Sequence, residues 1–130
     1  MNRAMSIRAT FQPTVDEFID NLDSFATGNY LKPDEKEFWE EPFDAAVLPE
    51  LRNILEKFLD ALDLLAGEVP PETLVKVVQT TIDDLDAFNT RNADAVIEPE
   101  EKEELTQLLH QACAATGADE ATLSELPDMD

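Results

Sequence analysis

Residues 48–67 read LPELRNILEKFLDALDLLAG, and the spacing of their apolar side chains decides the fold. Wound as a helix, the stretch puts Leu51, Ile54, Leu55, Phe58, Leu62 and Leu65 on one face, with Leu59, Ala61 and Ala66 at its margins. Recurrence at i, i+3, i+4 and i+7 is the pattern of a helix buried along one side. Pro49 suits a first helical position, where its missing N–H would have no partner anyway, and Gly67 suits a left-handed stop. Every other segment reads as something that must cover this stripe.

Upstream, Thr14 to Thr27 carries Val15, Phe18, Ile19, Leu22, Phe25 and Ala26 on one helical face, and Gly28 ends it. Thr14-Val-Asp-Glu17 has the capping-box spacing. Residues 1–13 have little pattern and read as a loosely ordered arm. Between 34 and 47, Pro42 forbids a regular helix, so the segment reads as two short turns. Phe38, Trp39 and Phe43 there are expected to cover one end of the core.

Downstream, Glu68-Val-Pro-Pro71 turns the chain back, and a helix runs from Pro71 to about Arg91. Its apolar side chains, from Leu74 to Phe88, span about 160° at 100° per residue, wide enough to touch more than one neighbour. Asn89 and Asn92 interrupt the stripe, so fraying is expected there. Pro99 starts a further helix whose acidic first turn, Glu100 to Glu104, suits the positive end of the helix dipole. Leu105, Leu108, Leu109 and Ala112 face inward, and Gly117 stops it. Thr122-Leu-Ser-Glu125 caps a last turn, and residues 127–130 form a flexible acidic tail. The expected fold is all-α: one antiparallel bundle domain, residues 14–126, of four main amphipathic helices plus short helical turns.

The charge is lopsided. Thirty acidic residues against nine basic ones leave a net charge of −21. Such a surface repels nucleic acid and anionic membranes and attracts basic partners. No apolar run approaches the roughly 20 residues a membrane span needs, and residues 1–13, with Arg3 and Arg8 but no continuous apolar run, are not expected to act as a secretory signal. One cysteine excludes an internal disulfide. A cytoplasmic protein is expected.

Catalytic signatures are absent from the sequence. There is no Gly-rich phosphate loop and no Gly-x-Ser-x-Gly elbow. His110 and Cys113 are three apart, but two ligands do not close a zinc site, and the acidic setting opposes a reactive thiolate. No metal, cofactor or enzymatic activity is expected.

The acidic residues form stripes. Asp16, Asp20 and Asp23 line one edge of the first helix; Glu56, Asp60 and Asp63 do so on the helix from Pro49; Asp83 and Asp86 follow on the next. Like charges at this spacing cost roughly 0.2–0.5 kcal/mol per pair in an isolated helix, so stability alone would have interspersed lysines. These eight carboxylates, with Trp39 as an aromatic anchor, are the candidate docking residues for a basic protein. An immunity protein against a nuclease toxin is the concrete expectation. Two alternatives stand beside it. Carboxylates spaced like duplex phosphates would make a DNA mimic, and a salt-adapted cell would make such a surface serve solubility alone.

The order Phe38–Pro49, with Phe38-Trp-Glu-Glu-Pro-Phe-Asp44 and Leu48-Pro49, then Leu51–Leu65, Pro70–Phe88 and Pro99–Thr116, resembles a family of small acidic bacterial proteins of unknown function. The resemblance implies a compact helical fold and carries over no activity and no site residue.

Overall fold

The computed structural model describes residues 6–37, 39–65 and 69–129. Its long helices are α1 (Ile7–Thr27), α3 (Leu48–Leu64), α4 (Pro71–Arg91) and α5 (Pro99–Ala114). The short helices α2 (Pro33–Lys36) and α6 (Glu120–Ser124) and a 3-10 turn (Ala45–Val47) complete the regular structure, with no strand among the described residues. The fold is an all-α bundle.

The Leu48 stretch forms α3 and sits at the centre. Leu48, Leu51, Leu55, Phe58, Leu59 and Leu62 are buried along it. Leu59 belongs to the core rather than its margin, whereas Ile54 and Leu65 are only partly covered. One flank of α3 takes α1 and another takes α4. Arg8 at the start of α1 meets Asp60 near the end of α3, and Arg52 reaches back to Asp16, so α1 and α3 run antiparallel. Arg91 at the end of α4 pairs with Glu50 at the start of α3, which makes that pair antiparallel too. Leu105, Leu108, Leu109, Ala112 and Cys113 close the core from α5. Gly67, expected as the stop of α3, lies outside the described residues, as does Phe38.

Several expectations are corrected. The chain from Ile7 to Pro13 is not an arm but the first two turns of α1, capped by Ser6, whose hydroxyl accepts from the N–H of Ala9. Thr14-Val-Asp-Glu17 is therefore helix interior rather than a capping box. Pro13 is tolerated because the carbonyl it leaves without a helical donor, that of Ala9, belongs to an exposed residue. Residues 127–129 are not a free tail: Met129 is buried, its N–H donates to Thr106 Oγ1 (3.1 Å), and Pro127 O lies 3.0 Å from His110 Nε2. Asp119, not Thr122, caps α6, accepting from the N–H of Thr122.

Asn89 does not fray α4. It is buried, and its side chain clamps the connector into α5: Nδ2 donates to Ile97 O (2.8 Å) while Oδ1 accepts from Ile97 N (2.8 Å) and Val96 N (3.3 Å). Ala93 and Asp94 turn with positive φ so that Val96 and Ile97 drop back into the core. That clamp sets where α5 begins.

Candidate functional site

The predicted acidic stripes of α1 and α3 face each other, and four of their six carboxylates are engaged inside the molecule. Asp63 accepts from the N–H groups of Ile7 (2.7 Å) and Arg8 (2.9 Å), satisfying two donors that the first turn of α1 cannot pair internally. The Arg8 guanidinium bridges Asp60 (2.7 Å) and Glu56 (3.2 Å). Gln12 donates to both Asp16 and Glu56, and Arg52 pairs with Asp16. The hydrogen bond from Gln12, then that from Arg52, holds the Asp16 carboxyl below its ordinary value. Asp16, Glu56, Asp60 and Asp63 thus form an interhelical clasp.

The other predicted residues are scattered. Asp20 and Asp23 on α1 and Asp86 on α4 have no ion-pair partner among the described residues, and Asp83 accepts only from Gln79. Trp39 is half-buried with its ring over Gly28, 3.3 Å from where a β-carbon there would stand. Phe43 is buried and meets the Phe25 ring at a tilt of 50°, centroids 6.3 Å apart. These two aromatics cap the end of the bundle near the C-terminus of α1.

One surface feature was not legible as a site in the sequence. α1 packs closely on α3 but only lightly on α5, and a groove opens along the α1–α5 seam. Its wider part, about 480 Å³, has a floor of Phe18, Leu22 and Phe25, with Asn21 on one side and Glu98, Glu100, Glu101 and Glu104 on the other. A second hollow of about 180 Å³ continues it past Glu17 and Glu104 to Thr14 and Leu108. Phe25 is 43% exposed, unusual for a large aromatic otherwise placed on a core face. No basic side chain lines either part.

The electrostatics of the groove follow from the start of α5. Glu98 caps the helix, and Glu101 returns the interaction by accepting from the Glu98 N–H (3.1 Å). Partial burial, joined by the charges of Glu98, Glu104 and Glu100, pushes the Glu101 carboxyl above its usual range, although the hydrogen bond from Glu98 acts the other way. A carboxylate crowded by like charges over an apolar floor is a place where an incoming cation gains most.

His110 and Cys113 point to different surroundings. Cys113 is fully buried, and desolvation pushes its thiol up to about 12, which holds it protonated. His110 lies beside the C-terminal residues, with Nε2 3.2 Å from Asp128 Oδ1. Among the described residues, no three of His, Cys, Asp and Glu converge where a metal ion would be held. No helix among them is long and apolar enough to cross a membrane.

The chain matches no protein-family model, and neither the curated proteins nor the solved structures provide a match to it.

Proposed function

We propose that the protein is a non-enzymatic acidic binding protein that docks on a basic protein and inhibits or sequesters it. An immunity protein for a nuclease toxin is the specific form this takes. The observation that carries the reading is the α1–α5 groove, an apolar floor walled by carboxylates with no basic side chain among its lining residues. An apolar centre with a charged rim is the anatomy of a protein interface. The net charge of −21 steers a basic partner toward it. The reading relocates the docking face: Asp16, Glu56, Asp60 and Asp63 serve the clasp, and the groove carboxylates serve the partner.

The test is capture from the source cell's lysate at low salt, followed by elution in a salt gradient and mass spectrometry. One basic protein recovered in stoichiometric amount, and lost when Glu100, Glu101 and Glu104 are reversed to lysine, is the expected result. A smear of unrelated basic proteins, released together at modest salt, would sink the proposal.

A further inference from the structure

We infer that the α1–α5 groove receives an amphipathic helix of the basic partner, apolar face down on Phe18, Leu22 and Phe25 and with Lys or Arg side chains flanking it; this rests on the function proposed above. Three observations converge on a helix. First, both walls of the groove are built on helices, and its lining along α1 runs from Thr14 to Phe25. At about 1.5 Å per residue that is roughly 17 Å, the length of about three helical turns of partner. Second, its apolar positions on α1, Phe18, Leu22 and Phe25, follow the i, i+4, i+7 row that an opposing helix meets with its own apolar row. Third, the acidic rim is nearly one-sided: Glu98, Glu101 and Glu104 follow one another along α5 at three-residue steps, whereas α1 offers Asn21 and Glu17. A helix with cations on one edge of its apolar face complements that asymmetry, and the complementarity also sets its orientation. An extended basic peptide would satisfy the charges but would cover less of Phe25, the exposed part of the floor.

Phe25 is the predicted anchor point. It is the exposed residue of the floor, and its ring already contacts that of buried Phe43, which lowers the conformational entropy lost when a partner orders it.

The experiment uses the full chain and two synthetic peptides of equal composition: a Leu/Lys amphipathic helix of about 12 residues, matched to the groove length, and its scramble, with the same charge but no apolar face. Titration calorimetry at moderate salt reads both. The helix should bind at least about tenfold more tightly than the scramble, and Phe25→Asp or Asn21→Arg should each remove most of that advantage. Asn21 is exposed at the edge of the groove, so Asn21→Arg keeps the test valid even if Phe25→Asp perturbs the fold. Reversal of Asp83 and Asp86 on α4 should leave the advantage intact. Equal affinity for helix and scramble overturns the inference, as does a loss on the α4 reversal equal to that on the groove variants. If the lysate yields a single basic partner whose capture is indifferent to Phe25→Asp, the docking function stands and the groove assignment falls. If no basic partner is recovered at any salt while the helix binds selectively, the function proposed above falls and the groove's preference stands.

Discussion

Asn89 shows how much one side chain can decide. In the sequence it reads as a polar break in an apolar stripe, because a helical wheel assigns it a face but not a partner. In the structure it makes three hydrogen bonds to the backbone of Val96 and Ile97, all in the core. A substitution to alanine strands buried backbone groups, so Asn89→Ala should lose at least about 2 kcal/mol of stability in urea titration. An unchanged urea midpoint would mean that water replaces the amide. Asp63 is the counterpart on α3. Its carboxylate does for the first turn of α1 what a local cap does elsewhere, from a site distant in sequence. Asp63→Ala should cost about 1–2 kcal/mol, and in hydrogen exchange the loss of protection should concentrate in residues 7–12. Neither role was legible from local pattern, since both depend on which helices become neighbours.

At the scale of elements, periodicity went far. The apolar stripe of α5 falls where the spacing placed it, that of α3 does so but for Leu59, Ile54 and Leu65, and α4 has the bounds Pro71–Arg91 that its pattern and prolines indicate. The start of α1 was hidden for a physical reason: its first two turns contain Pro13 and only Ile7 and Phe11 as large apolar contacts, and polar contacts of Arg8, Gln12 and Asp63 with its neighbour add to that packing. The groove was equally hidden. The acidic turn of α5 was readable as a favourable helix start, but not that it stands across from Phe25. That arrangement has a pH signature. The folded state binds the Glu101 proton more tightly than the unfolded chain does, since the group is raised above 4.5. Its ionisation therefore opposes folding, and this contribution to stability declines as pH rises through the window above the ordinary value. Glu101→Gln keeps an acceptor for the Glu98 N–H. It should raise Tm at neutral pH and have little effect below about pH 4, where the carboxyl is protonated in both states. A gain that persists undiminished in acid would point to packing instead.

For the whole molecule, the balance of charge governs behaviour. Arg8, Arg52 and Arg91 each pair with carboxylates across helices, which leaves most of the acidic surface uncompensated. Self-repulsion on that scale opposes compaction. Raising ionic strength from about 10 mM to about 0.5 M shortens the screening length from roughly 30 Å to under 10 Å. Thermal stability should therefore rise with sodium chloride, the relief of repulsion outweighing the screening of a few exposed pairs. A fall in Tm with salt would show that the Arg8 and Arg52 clasp dominates instead. The placement of Trp39 has a practical consequence for all of these measurements. It is the single tryptophan of the chain, and its indole is stacked on the end cap of α1, one helical turn beyond Phe25 at the mouth of the groove. The molecule thus carries its own optical reporter: emission wavelength and quenching by iodide follow, without a label, both the loosening of that end of the bundle and the arrival of anything that settles beside it.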